Sequence, residues 1–450
     1  MDARIQVLNE NELQDNRYVV YWMQSSQRTE YNHALEYAIV EANKLSKPLL
    51  VCFGLTAEFP EANTRHYTFM LEGLKEVQAN LVEREIQFVL RAISPEKAAI
   101  EIAQLAAVMI VDRGYLRIER DWRKEVANSI ECPLIQVETN VIVPVESASP
   151  KEEYAARTIR KKIQVQLDTF TSSLEENKIQ HFSLNEDLPF STLVPIDIPI
   201  LLDHLQVDGT VPAVDGFKGG TGEAKKRLAD FIERKLPFFN DDRNKPGYDV
   251  VSDMSPYLHF GQISPLYIFH QLQAASPSEN KESYIEELVI RRELSMNFVF
   301  YNEKYDQYVG LPDWAKETLA DHESDERKFL YTLKELEKAG THDPYWNAAQ
   351  NEMVLTGKMH GYMRMYWGKK IIEWSQNSKE AFARSLYLNN KYNLDGRDPN
   401  SFTGIAWCFG KHDHGWKERE IFGKVRYMNA KGLERKFDMQ KYVDKINGLL

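Results

Sequence analysis

The sequence predicts an α/β unit, a doubly wound parallel sheet, followed by a larger all-α unit. Three observations carry this. The first third alternates short apolar runs with amphipathic stretches, the pattern of strands crossing over through helices. From about Gly216 onward apolar residues recur at spacings of three and four, the helical period. Between them, residues 149–215 turn polar, then basic, then rich in Pro and Asp, which predicts a crossing linker with one short helix. The expected domains are therefore 1–148, 149–215 and 216–450.

The elements follow in order. RYVVYWM (17–23), PLLVCFGL (48–55), IQFVLRA (86–92) and AAVMIVDR (106–113) are short and rich in Val, Ile and aromatics, as strands buried on both faces are. LIQVETNVIVPVE (134–146) predicts a fifth strand. YNHALEYAIVEANKLS and RHYTFMLEGLKEVQANLVER are the amphipathic segments between them. Neither GxGxxG nor GxxxxGK[ST] occurs, so no glycine motif names a ligand for this unit. Further on, GEAKKRLADFIERKL, SPLYIFHQLQAA, ESYIEELVIRRELSMNFVF, WNAAQNEMVLTGKMHGYMRMYWGKKIIEW and SKEAFARSLYLNNKYN all carry helical spacing.

Composition bounds the function. At 450 residues the chain is too long for one ordinary core. Its 43% hydrophobic and 27% charged residues are those of a folded globular protein. No run is long and apolar enough for a membrane span, and the start, MDARIQVLNENELQDN, predicts no signal peptide. Cys52, Cys132 and Cys408 are far apart and odd in number, which suggests a reducing cytoplasm and no metal site. The net charge of −11 argues against a non-specific nucleic-acid coat but allows a local basic groove.

Three stretches carry chemistry. As a helix, MHGYMRMYWGKKIIEW (359–374) sets His360, Arg364, Trp367, Ile371 and Trp374 on one face. Core packing explains the tryptophans alone, but an arginine beside them needs a partner, and Asp395 in NNKYNLDGRDPN is a candidate. FTGIAWCFGKHDHGWKEREIFGKVRYM interleaves aromatic and basic residues, which suits unstacked bases next to phosphates as well as a loop closing a helical core. SDMSPYLHFGQISP opens with serines before a proline, fitting either an ordinary cap or a phosphate-binding helix start.

Together these stretches resemble class II cyclobutane pyrimidine dimer photolyases. VVYWMQSSQRTEYNHAL, SASPKEEYAARTIRKKI, RNKPGYDVVSDMSPYLHFGQISP, EELVIRRELSMNF, WNAAQNEMVLTGKMHGYMRMYW, YLNNKYNLDGRDPN and FGKVRYM look like family blocks in family order. The resemblance implies an FAD-binding helical domain and light-driven repair of DNA by electron transfer to a flipped-out dimer. It implies that Trp367, Trp346 and Trp374 relay electrons to the flavin. Arg364 and Asp395 are the expected flavin-flanking pair, and Asn389, or else Asn390, is the expected contact near flavin N5. Val251, Ser252, Asp253, Met254 and Ser255 match the diphosphate turn, with Asn297, Gly396 and Arg397 as further cofactor contacts. Glu287 matches a carboxyl that touches the dimer. Met365 and Trp407 match pocket-lining positions, Arg243 and Asn244 match residues near the opened duplex, and Lys411, Lys424 and Arg426 are expected phosphate contacts. An antenna chromophore, where one is bound, a deazaflavin (8-HDF) or a folate, would sit in the N-terminal domain or the interdomain groove. The chain departs from the family where Phe239 replaces a tyrosine and where ELVIRRE brings Arg291 to the place of a class I tryptophan. The competing expectation is a cryptochrome-like light sensor without repair. A cytoplasmic, nucleoid-associated monomer acting on DNA, with no membrane, is expected.

Overall fold

The computed structural model describes residues 2–193 and 197–449. Residues 194–196, inside the expected linker, lie outside the described residues. The strands are β1 (Ile5–Val7), β2 (Tyr18–Trp22), β3 (Leu49–Gly54), β4 (Gln87–Arg91), β5 (Ala106–Asp112) and β6 (Leu134–Val137). They form one sheet in the order β1-β6-β5-β2-β3-β4, parallel except for β1 against β6. Helices α1 (His33–Leu45) and α2 (Thr64–Glu83) cover one face, and α3 (Pro95–Ala103) and α4 (Arg117–Ser129) cover the other. Strand alternation separates the faces: Val19 and Tyr21 pack under α1 and α2, Val20 and Trp22 under α3 and α4. The sheet is therefore doubly wound, as expected.

Two sequence expectations change. The fifth predicted strand stops at Val137, and 138–144 become turns before Pro144 opens a short helix. The stretch expected to hold one short helix holds Ala156–Gln164, Leu167–Phe170 and Ile198–Leu205. The first of these buries Ile159 and Ile163, so its basic character belongs to the solvent side of an amphipathic helix.

The remaining chain is helical. The helices Arg292–Tyr301, Pro344–Thr356, Gly361–Trp374, Ser378–Tyr392 and Pro399–Cys408 surround one core rich in large aromatics. Gly368 permits the closest approach there: a Cβ on it would lie 2.6 Å from the Cys408 sulfur. Single π turns interrupt the helices at Phe231–Lys235 and Glu286–Arg291.

Buried polar groups join the two units. Arg65 on α2 donates to the carbonyls of Pro212, Met353, Tyr392 and Val354 at 2.6–3.2 Å. Glu293 accepts from the amides of Ile142 (2.5 Å) and Val143 (3.2 Å). Burial pushes the Glu293 carboxyl up to about 8, against the pull of those amides and of Arg292.

Candidate functional site

The site is built around Arg364, on the Gly361–Trp374 helix. Gly361 starts that helix because His360 is its cap, accepting from the Tyr362 amide at 3.2 Å. His360 therefore sits at the mouth of the helix rather than on its tryptophan face. Arg364 Nη2 donates to Asp395 Oδ1 at 3.0 Å and to Asn393 Oδ1 at 3.3 Å. Burial opposes ionisation of Asp395, but Arg364 and the Ser255 hydroxyl hold its carboxyl below the usual range.

The two adjacent asparagines diverge from this pair. Asn389 Oδ1 accepts from Asn393 at 3.0 Å and its amide donates to Ser401. Asn390 turns toward the α/β unit, donating to Glu61 at 2.6 Å and accepting from the Arg397 amide at 3.0 Å. Asn389 joins the Arg364 cluster through Asn393, and it also donates to Asn390 Oδ1 at 3.3 Å. Gly396 passes so close to Asn390 that a Cβ would meet its backbone at 2.8 Å. Arg397, at φ 67°, carries its guanidinium to the Asn390 carbonyl, away from Arg364.

Residues 251–255 approach from the other side. Asp253, at φ 57°, pairs with Lys358. Burial again opposes its ionisation, and Lys358 holds it ionised. Ser252 Oγ accepts from Tyr284 at 2.9 Å and from the Met254 amide at 3.4 Å, and Val251 leads into this turn. Burial, then Lys445 and Lys358, lowers His360 to about 4, so its ring is neutral near pH 7. His360 Nε2 and Arg364 Nε are buried and find no partner among the described residues. Arg364 Nε, an orphan donor within a buried ion pair, fits a polar, hydrogen-bonding heteroaromatic group such as a flavin.

A tryptophan ladder leads away from Arg364. Trp346, from the neighbouring helix, lies between Trp367 and Trp374. Its ring centroid is 6.3 Å from Trp367, with the planes nearly parallel at 7°, and 5.6 Å from Trp374. The indole N–H of Trp346 donates to the Trp367 carbonyl (3.0 Å), and that of Trp367 to Gln350 (2.9 Å). All three rings are at most 1% exposed.

The rim of the site carries charge. Arg243 donates to Glu287 at 2.7 Å, and exposed Asn244 follows it. Met365 touches Cys408, the residue after Trp407, at 3.9 Å between sulfurs. Arg426 lies over Trp416 at 5.0 Å, and Lys424 is exposed on the same loop. Two further expected residues have partners within the protein. Lys411 is 7% exposed and paired with Glu152 over the Phe298 ring. Asn297 spends both ends of its amide on the 151–153 backbone, accepting from Glu153 at 2.7 Å and donating to Lys151 at 2.9 Å. Asn393 and Lys358 were not singled out in the sequence, although the asparagines at 389 and 393 are one helical turn apart, a spacing that brings their side chains together.

A cavity of about 140 Å³ lies between the units. Met23, Ser25 and Gln27 line it after β2, and Gly114 to Leu116 after β5. Strand order reverses between those two strands, the place where open α/β sheets take ligands. Phe53, Tyr67 and Trp122 supply apolar wall, and Glu119 is pushed up by burial to about 7. No helix among the described residues is long and apolar enough to cross a membrane, and they hold no metal-binding cluster.

Residues 19–180 match the model of the DNA photolyase family. A deoxyribodipyrimidine photo-lyase of Methanothermobacter thermautotrophicus is 53% identical, over 96% of this chain and 95% of its own. The deoxyribodipyrimidine photo-lyase of Potorous tridactylus is 41% identical, over 99% of this chain and 84% of its own. Among solved structures, an archaeal photolyase from Sulfolobus tokodaii, crystallised with two FAD molecules, shares the fold at a TM-score of 0.72. It is 15% identical, and the match covers 95% of this chain and 89% of that one. Identity above one half along nearly the full length of a relative joins sequence to fold: the chain belongs to the DNA photolyase family.

Proposed function

We propose that the protein is a deoxyribodipyrimidine photo-lyase, repairing cyclobutane pyrimidine dimers in DNA under blue light. The observation that carries this is the tryptophan ladder starting beside the buried Arg364–Asp395 pair. Packing alone does not require three indoles in file, whereas relay of an electron does. FAD, when bound reduced and excited by light, supplies the electron that opens the dimer and accepts it back.

The residues divide the work. Arg364 holds a cation at the flavin ring and favours its anionic reduced form, because opposite charges attract strongly where water is excluded. Asn389, ordered by Asn390, Asn393 and Ser401, would stand beside the flavin ring. Val251 to Ser255 receive the diphosphate, with Lys358 as the nearby cation. Met365 and Trp407 pack on the dimer. Glu287 faces its carbonyls once Arg243 leaves for the opened duplex, with Asn244, Lys424 and Arg426 on the DNA backbone. Trp367, Trp346 and Trp374 serve reduction of the cofactor. The cavity between the units takes a planar antenna, such as a deazaflavin; its apolar walls and position at the strand-order reversal support this. The protein acts as a monomer in the compartment that holds the DNA.

The test is recovery of ultraviolet absorbance in a dimer-containing oligothymidine with reduced protein, in blue light and in darkness. Recovery in light only is the expected result. No recovery with flavin bound would favour the light sensor instead.

A further inference from the structure

A π turn redirects the side chains around it, and such turns recur at functional sites. The turn Glu286–Arg291 lies at the rim of the site and presents Glu287 and Arg291. Three guanidinium groups meet these carboxylates, and two are spent. Arg160 grips both oxygens of Glu286, at 2.6 and 3.1 Å. Arg243 is bonded to Glu287 at 2.7 Å. Arg291 is different. Its Nε stands 3.7 Å from Glu286, beyond hydrogen-bond reach, and its side chain is 42% exposed. Among the described residues its guanidinium makes no hydrogen bond, while it lies over the Trp407 ring at 5.9 Å.

An arginine that lies on an indole, with only a 3.7 Å ion pair to a carboxylate already held by another arginine, is pre-set for an anion. The ring fixes its plane and leaves its fork of donors open. Glu286 does not hold it back, because Arg160 already neutralises that carboxylate. A pyrimidine dimer packed on Trp407 brings one anion with it: the phosphodiester joining its two nucleosides.

We propose that Arg291 binds this bridging phosphate and is a substrate-recognition residue of the enzyme. The inference rests on the reading of Trp407 and Glu287 as contacts to the dimer. An aromatic side chain here would stack on a base at any salt concentration. Arginine makes recognition of the lesion charge-dependent instead.

The test uses the reduced flavoprotein, wild type and Arg291→Gln, with two oligonucleotides. One carries a dimer with its natural linkage. The other carries a dimer with an uncharged methylphosphonate linkage between the two nucleosides. The expected result is a loss of about tenfold in affinity for the natural lesion in Arg291→Gln, the size of one charge-assisted contact. Wild type should lose about the same on the methylphosphonate, and the variant should lose no more on it. The slope of log affinity against log salt should become shallower by roughly 0.7 to 0.9, the value of one phosphate contact. Repair at saturating DNA and the bound-flavin spectrum should stay unchanged, so the effect falls on KM rather than kcat. Arg291→Lys should keep the salt slope. If the methylphosphonate costs both proteins equally, or if the variant binds the lesion as wild type does, Arg291 does not read that phosphate. If wild type fails to repair in light, the proposed function falls and takes this inference with it.

Discussion

Arg364 and Asp395 form a buried pair whose halves depend on each other. Removing one partner leaves an uncompensated charge away from water, at a cost of about 3 kcal/mol or more. Asp395→Asn should therefore lower the free energy of unfolding by about 3 kcal/mol in denaturant titrations, and should weaken flavin retention on gel filtration. Trp367→Phe separates packing from redox chemistry. Phenylalanine fills most of the same space, but its ring is hard to oxidise. The expected outcome is slow photoreduction of purified oxidised flavoprotein, about tenfold or more, with near-normal repair after chemical reduction; normal photoreduction would remove Trp367 from the relay. At this scale the sequence shows residue types but not partners. Arg364 and its acceptor Asp395 were legible because an arginine among tryptophans needs an acid and one stood in a nearby turn. The pairing of Lys411 with Glu152, 259 positions away, was not legible. Nor were the bonds that tie the Asn297 amide to a backbone segment from the linker.

Helix packing sets the distances on which the site depends. The helices Gly361–Trp374 and Pro399–Cys408 carry Met365 and Trp407, and Gly368 is where they touch. Gly368→Ala would drive a methyl group into the Cys408 side chain. It should cost roughly 1–3 kcal/mol through overpacking. It should also raise KM for dimer-containing DNA severalfold by shifting Trp407 away from Met365, which steady-state repair assays at limiting light would report. The strands β2 to β5 could be read because both faces are buried, which short runs of Val, Ile and aromatics announce. β1 could not. Its three residues, IQV, pair at an edge and stay half in solvent, too short to give a period. The linker helix Ala156–Gln164 was hidden by charge: four of its nine residues are Arg or Lys, which reads as a basic stretch until Ile159 and Ile163 are seen to share a face.

At the scale of the whole molecule, the seam between the units makes stability depend on pH. Glu293 is a carboxyl whose folded value lies near 8, above its value in the unfolded chain. Between about pH 5 and 8 the folded protein holds a proton that the unfolded chain has released. The contribution of Glu293 is therefore complete at the acid end of that range and is lost as pH rises toward 8. The slope is at most one proton, about 1.4 kcal/mol per pH unit. Glu293→Gln should flatten the fall in unfolding free energy across that range, as urea titrations at several pH values would show.

The same seam imposes an order in time. Arg65 is built early in synthesis, yet its acceptor at Tyr392 lies 327 positions downstream. At ordinary translation speeds of about 5–20 residues per second, that wait is roughly 15 to 65 s. Through that interval the α/β unit holds its guanidinium out to water, and it becomes part of a finished enzyme only when the far helices arrive to close over it.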